Sequence, residues 1–315
     1  MVRYIFKRIL MMIPVVLGIS FIIFFTMNLT PGDAAISLAG DSATPETIEA
    51  IREELGLNGP LVVRYMRYLW NVLHGNFGNS YNNGQPVVTE IMARFPYTFR
   101  LAVFSTLFAC LLGIPIGIIS AVKQYSVLDT SMVGLALVLT SLPGFFIGLL
   151  LILVFSVYLG LLPMIGMSTL AEHIMPCMAA GTGTFASMVR MTRSTMLEVI
   201  RQDYVRTARA KGVPERKVIF KHSLKNALLP VVTAIGLQLG MAMGGSIAIE
   251  QLFSIPGLGQ LTVTAIRQKD IPVAMACIMM TAIMISLANL IVDILYYFID
   301  PRLKAQFAKR KKAAT

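Results

Sequence analysis

EVIRQDYVRTARAKGVPERKVIFKHSLKNALLP, residues 198–230, is a polar, basic segment that separates two hydrophobic stretches of the chain. Residues 190–225 carry ten of the 27 Lys and Arg residues. Cytoplasmic loops of membrane proteins are enriched in these residues. We therefore expect this segment to lie on the cytoplasmic face, between two membrane spans.

Its sequence predicts two short helices joined by a hinge. Gly212 suits a helix end with positive φ, where a side chain would clash, and Pro214 can open the second helix, because its missing N–H has no partner in a first turn. Pro230 marks entry into the next apolar run. The first helix has residues at helical spacing on one face and charged residues elsewhere. The spaced residues are Leu197, Ile200, Tyr204 and Ala208, and the charged residues are Arg201, Asp203, Arg206 and Arg209.

The composition is that of an integral membrane protein. Of 315 residues, 56% are hydrophobic and 14% charged, whereas soluble domains have about 25% charged residues. The net charge of +11 does not indicate nucleic-acid binding, because the basic residues flank hydrophobic runs and form no aromatic-studded surface. Cys110, Cys177 and Cys277 fall in candidate spans and are interpreted as packing residues.

Hydropathy predicts an all-α fold with six transmembrane helices. The first apolar run is too long for a signal peptide, and we expect it to be retained. Residues 130–171 are uncharged and fit either one span or two that turn at Ser141–Gly144. Two spans would place the arginine-rich loop outside, so we predict one. The six spans are about 10–29, 101–122, 130–159, 173–191, 228–249 and 272–298.

This topology places both termini in the cytoplasm. It puts 20 Lys and Arg residues inside and seven outside. Residues 30–99 then lie outside, with one helix opened by Pro45, which carries Ile48, Ile51 and Leu55 and stops at Gly56. A second starts at Pro60 with Tyr65, Leu69 and Val72, and a turn-rich stretch follows at 75–81. In the fourth span, Ala179–Thr184 predicts close helix packing, and Gly236 and Gly240 do so in the fifth.

The segment also resembles the "EAA" loop of ABC importer permeases. Ala208, Gly212 and Leu229-Pro230 match that pattern, although Arg206 stands in place of its acidic residue and Thr207 in place of its first alanine. The form from Tyr204 to Gly212 is similar to that of the dipeptide, oligopeptide and nickel branch. Further motifs of that branch are Pro31-Gly32-Asp33, Gly75-x-Phe77-Gly78-x-Ser80-Tyr81, Phe253-Ser-Ile-Pro256-Gly257-Leu-Gly259 and Arg267-x-x-Asp270-x-Pro272.

The resemblance implies a type I importer permease of MetI-like fold in a bacterial inner membrane. It implies a first helix plus extracytoplasmic insertion (1–97), a permease core (98–299) and a basic tail (300–315). The implied partners are a second homologous permease, two ABC ATPase subunits that bind the ATP, and an extracytoplasmic substrate-binding protein. Residues implied to couple to the ATPase are Asp203, Tyr204, Val205, Arg206, Thr207, Ala208, Arg209, Ala210, Lys211 and Gly212. The alternative for this loop is a basic helix on anionic lipid.

We expect neither catalysis nor a bound cofactor or metal in this chain. No P-loop motif occurs, and His74, His173 and His222 are far apart in sequence. Glu250 and Asp293 are charges in or beside spans. They either border a translocation path or serve as a helix cap or salt bridge. The function implied is ATP-driven import of dipeptides or oligopeptides; a nickel or metal-chelate importer and a stand-alone secondary transporter are the alternatives.

Overall fold

The computed structural model describes residues 2–30, 34–40, 43–244 and 247–299, without the side chains at 2–4, 293 and 295–299. These residues form helices and no extended strand. The helices are α1 Val2–Leu29, α2 Ala34–Ala39, α3 Pro45–Glu54, α4 Leu61–Leu73, α5 Val87–Val122, α6 Val127–Ser141, α7 Gly144–Leu151, α8 Leu170–Ile200, α9 Asp203–Ala210, α10 Glu215–Lys217, α11 Leu224–Met243, α12 Ile247–Leu252, α13 Leu258–Arg267 and α14 Ile271–Ile299. The predicted all-α class is confirmed.

Four helical stretches in the described part of the chain are long and apolar enough to cross a membrane: Ile5–Leu29, Val87–Val122, Glu215–Met243 and Ile271–Val292. The third is continuous because α10 passes through a π-helical segment, Val218–Ser223, into α11. A fifth candidate is the pair Val127–Ser141 and Gly144–Tyr158, bent by 104°. The single span predicted over about 130–159 therefore consists of two helices with a sharp bend between them. The break comes at Leu142-Pro143, because proline disfavours helical geometry in the residue before it.

Other predicted boundaries also differ from the structure: the fifth span, predicted at 228–249, is the helix Glu215–Met243. Helix α5 begins 14 residues before the predicted second span and is 36 residues long, or about 54 Å. Helix α8 runs to Ile200 and is 31 residues long. Hydropathy located only the apolar part of each helix, because polar helical turns at a span's end carry no hydrophobic signal.

The described residues form two compact units, one within Met1–Arg100 and Met243–Ser286 and the other within Leu101–Ala242 and Leu287–Thr315. In the first, Thr44 caps α3 through the backbone N–H of Thr47, and Gly56 follows with φ +65°. Both helices predicted after residue 44 are confirmed, with the second beginning just after Pro60. The Pro31-Gly32-Asp33 motif lies outside the described residues.

In the second unit, small residues bring α5 and α8 together. A Cβ added at Gly181 would lie 2.7 Å from the Ser105 carbonyl oxygen, and one at Gly117 would lie 2.7 Å from that of Val189. Ala179, Gly181 and Thr182 are buried as predicted, although Gly183 is exposed. The predicted close packing at Gly236 is also confirmed: a Cβ there would lie 1.9 Å from Val292 Cγ2 on α14.

A buried ion pair joins α6 to α8. Arg193 Nε donates to Asp129 Oδ1 at 2.6 Å and its Nη2 donates to Oδ2 at 2.8 Å. The carboxylate also accepts from Ser120 and from the Tyr125 backbone N–H at 2.9 Å. The Asp129 side chain is only 3% exposed and that of Arg193 24%. Four donors and one cation thus satisfy a charge that would otherwise be costly to bury.

Replacing Arg193 with Met leaves the Asp129 carboxylate buried without its cation. We expect a loss of about 3 kcal/mol or more in stability, seen as a lower thermal unfolding temperature of the purified chain in lipid nanodiscs. Arg190→Met is the matched control, because Arg190 is an exposed arginine of the same helix. Equal losses in the two variants would contradict a specific role for the ion pair.

Candidate functional site

The basic loop begins where α8 ends. Arg201 and Gln202 interrupt the helix, and Gln202 has extended backbone angles (φ −70°, ψ 150°). Helix α9 then starts at Asp203, whose carboxylate suits the positive end of the helix dipole. The prediction of one helix carrying Leu197, Ile200, Tyr204 and Ala208 is therefore wrong. The apolar residues on both sides of this two-residue break happen to keep helical spacing, so the periodicity of the sequence did not reveal the break.

The buried face of α9 consists of Val205 and Ala208, not of Tyr204. Val205 is fully buried and packs with Ala208, Val213 and Val218, so α9 folds back on the start of the next helix. Tyr204 is 44% exposed. Its hydroxyl accepts a hydrogen bond from Asn226 Nδ2 at 2.8 Å, which ties α9 to α11.

Gly212 closes α9 in the predicted way. Its φ is +74°, its N–H donates to the Arg209 carbonyl at 2.9 Å, and the Val213 N–H donates to the Ala208 carbonyl at 3.3 Å. This pair of bonds, with an apolar contact from the residue after the glycine, is the Schellman motif. Pro214 then precedes α10, as predicted. The prediction that the second helix is short is wrong, because it continues to Met243 with Pro230 inside it.

A second link crosses the same turn. Arg209 donates from Nη2 and Nε to the two carboxylate oxygens of Glu215, at 2.7 and 3.1 Å. Both side chains are more than a third exposed, so this pair adds orientation more than stability. Four of the remaining loop residues (Asp203, Arg206, Thr207 and Lys211) present an exposed surface, and Ala210 is exposed beside them.

The loop is anchored where three long helices meet. Ala121 near the end of α5, Met196 of α8 and Ala227 of α11 form one buried cluster, which Ile200 and Ile219 extend. The loop is therefore mounted on a packed base. Neither this base nor the Asp129–Arg193 pair was predicted, because their residues are distant in the sequence and form no motif.

Glu250 lies elsewhere, in the first unit, and acts as a helix cap. It is fully buried, accepts from Thr98 Oγ1 at 2.7 Å, and accepts from the Gln260 backbone N–H in the first turn of α13 at 2.9 Å. Burial raises the pKa of this carboxyl, and the hydrogen bonds from Thr98, Gln260 and Gly259 oppose that shift. A Cβ at Gly257 would lie 2.4 Å from the Glu250 carboxyl carbon, which explains a glycine there. These contacts fit the alternative that Glu250 serves as a helix cap. A role of Glu250 in a translocation path stays a prediction.

Asp293 lies on α14, but its side chain is outside the described residues, as is the 300–315 tail. Among the residues that the structure describes, no three His, Cys, Asp or Glu side chains are placed to share a metal ion. Cys177 and Cys277 are buried and Cys110 is half-buried, all as free thiols.

Taken together, the apolar helices and the basic loop define a multi-pass membrane protein. Helix α9 and the start of the next helix form a polar hairpin between two of its long helices. Residues 113–305 match the model of the family described as binding-protein-dependent transport system inner membrane component, and residues 1–102 match the model of that component's N-terminal region. The chain belongs to this family of ABC importer permeases. Its members are transport components of the inner membrane and not enzymes.

Two similar proteins illustrate the relationship. The oligopeptide transport system permease protein AppB of Bacillus subtilis (strain 168) is 42% identical over 320 residues, covering 96% of this chain and 100% of AppB. The glutathione transport system permease protein GsiC of Escherichia coli (strain K12) is 41% identical over 304 residues, covering 96% of this chain and 99% of GsiC. The similarity therefore extends over nearly the whole length of each protein.

Replacing Gly212 with Ala forces a left-handed backbone onto a residue with a Cβ, although the space around that Cβ is open. The cost is about 1–2 kcal/mol, confined to the loop. We expect backbone amides of residues 203–218 to exchange about five- to thirtyfold faster in hydrogen-exchange mass spectrometry. Gly183→Ala is the control, because Gly183 also has open space but lies within α8. Unchanged loop exchange in Gly212→Ala would refute the turn's role.

Proposed function

We propose that this chain is one permease subunit of an ATP-driven peptide importer and forms half of its translocation path. Family membership supports an ABC importer. The names of the two relatives above support peptides, because oligopeptides and glutathione share an amide backbone, a charged amino group and carboxylates. The proposed partners are a second, homologous permease, two ABC ATPase subunits that bind ATP, and an extracytoplasmic substrate-binding protein; this chain itself needs no cofactor.

The proposal includes six crossings, with both termini in the cytoplasm and residues 30–99 outside. The contacts of α5 with α8 support it: Ser105 lies against Gly181 and Gly117 against Thr192, so the two helices run in the same direction. Consecutive crossings alternate in direction, so an odd number of crossings must lie between two helices that run the same way. The broken α6–α7 segment then makes one crossing despite its bend.

Cysteine labelling tests this topology. In intact cells, a membrane-impermeant maleimide should label Glu46→Cys and leave Lys217→Cys unlabelled until the membrane is permeabilised. Both positions are exposed, and the three native cysteines are first replaced by Ala. Labelling of Lys217→Cys in intact cells would place the basic loop outside and overturn the whole proposal.

We further propose that α9 and the Gly212 turn couple this chain to an ATPase subunit. The observation that carries this step is the construction of the hairpin. Its exposed side holds Arg206 and Lys211, while its inner side is locked by Val205, Ala208, Val213 and Val218. A helix lying passively on lipid needs an apolar exposed face. Here the apolar residues of α9 are used within the hairpin, which favours a protein partner.

Arg206→Glu tests the coupling step, because Arg206 is exposed whereas Arg209 is engaged by Glu215. In proteoliposomes holding the assembled complex, we expect substrate-stimulated ATP hydrolysis and peptide uptake to fall together by tenfold or more, since about 1.4 kcal/mol of lost docking energy is a tenfold effect. Lys225→Glu makes the same charge change on α11, at an exposed position, and should retain both activities. Retention of both by Arg206→Glu would refute this use of α9.

The same preparation separates the alternatives. Uptake of a peptide and not of nickel or a nickel chelate supports the peptide assignment, and the reverse result overturns it. Uptake by this chain alone, driven by an ion gradient without ATPase subunits, would instead identify a secondary transporter.

A further inference from the structure

Helix α4 is attached to the first span by a tyrosine. Tyr65 is buried among Phe21 and Phe24 of α1, at ring-centroid distances of 5.6 and 5.3 Å. Its hydroxyl lies 2.9 Å from Ser20 Oγ and donates to the Leu17 carbonyl at 3.2 Å. Leu17 stands midway along the apolar span Ile5–Leu29.

This attachment limits how far Tyr65 can lie from the middle of α1. Leu17 lies about 18 Å along the helix axis from Leu29, and a tyrosine hydroxyl reaches less than two helical turns, about 11 Å, from its own backbone. Tyr65 therefore lies beside the apolar part of α1, not beyond its end. Tyr68 gives the same result, because its hydroxyl lies 3.8 Å from Met279 Sδ, more than two turns inside the span Ile271–Val292.

A second side of α4 is apolar and exposed. Its residues recur at helical spacing and have exposed fractions of 50–80%; they are Val62, Val63, Met66, Trp70 and Leu73, and we call them the α4 stripe. The polar residues Arg67 and Asn71 occupy a different sector of the helix. Phe21, which contacts Tyr65, and its neighbour Ile22 are also exposed apolar residues, and they lie on a span of the bilayer if α1 crosses it.

We propose that α4 lies in the plane of the membrane–water interface, with its stripe inserted among lipid acyl chains and its Arg67–Asn71 sector toward water. The pattern is that of an interfacial helix, whose apolar face enters the headgroup–acyl boundary by about 5–10 Å. Trp70 suits that boundary, where indole rings are enriched. We assign lipid as the occupant of the stripe because Tyr65 attaches α4 to an apolar span whose residues Phe21 and Ile22 are themselves exposed. The proposal needs only that α1 spans the membrane; the side on which α4 lies depends on the proposed topology.

Trp70 is the chain's single tryptophan, so its fluorescence reports the stripe directly. The full chain is reconstituted in phosphatidylcholine vesicles that carry bromine at acyl positions 6 and 7 or 11 and 12. We expect the shallower bromines to lower the emission about twofold or more, the deeper ones to act less, and aqueous iodide to have little effect. Strong quenching by iodide with none by either brominated lipid would overturn the proposal.

The matched control moves the indole to the neighbouring sector of the same helix. In Trp70→Phe combined with Asn71→Trp, iodide should quench more strongly and brominated lipid less than in the parent chain. Equal quenching patterns in the two chains would refute an oriented interfacial helix.

A protein occupant is tested in the assembled complex. Benzoylphenylalanine at Met66, irradiated in native membranes, should leave the chain at its own molecular mass plus lipid. An adduct with the substrate-binding protein or the second permease would show a protein on the stripe and overturn the proposal. These outcomes are independent of uptake activity, so failure of the peptide-import proposal would leave them unchanged.

Discussion

The close approach of α5 and α8 is the constraint on which the second unit depends. In a bilayer no hydrophobic force draws helices together, so they associate through packing and polar contacts. Gly117 and Gly181 allow backbone-to-side-chain contact along this pair, and the Asp129–Arg193 ion pair fixes the turn after α5 against α8. The base of the basic loop, around Met196, lies on the same two helices. The loop's position thus follows from packing several turns away from it.

Sequence patterns predicted most of what depends on local backbone chemistry. Gly212, Pro214, the helix opened by Pro45 and the glycine stop at Gly56 are local, because one or two residues determine φ and the available hydrogen bonds. The apolar spans are also a local signal, because each is a run of about 20 uncharged residues. The break at Gln202 was not predicted, because apolar spacing continues through it. A turn at Ser141–Gly144 was one of two alternatives, and the uncharged sequence around it did not decide between them.

Contacts between residues that are distant in the sequence could not be predicted from the sequence. Asp129 and Arg193 are 64 residues apart, and Thr98 and Glu250 are 152 apart. A charge near a span predicts that some partner exists, but a single sequence does not identify it. The same limit hid the α4 stripe: the pattern Tyr65, Leu69 and Val72 accounted for one apolar side, and only the structure separates the packed side from the exposed one.

In the proposed mechanism, the loop must transmit displacement without absorbing it. The Schellman turn at Gly212, the apolar contacts of Val205 and the Arg209–Glu215 pair each join α9 to α10. Helix α10 continues through the π-helical segment into α11, so Glu215–Met243 forms one continuous 29-residue helical rod. That rod meets α14 at Gly236, where Val292 occupies the space of a missing side chain. In this proposal, a push on α9 by an ATPase subunit would reach the α11–α14 contact through a continuous series of packed elements, and a hinge placed at Gly212 would interrupt it. Under the coupling proposal, the hydrogen bonds of Gly212 and Val213 and the apolar contact of Val213 would keep α9 fixed to α10.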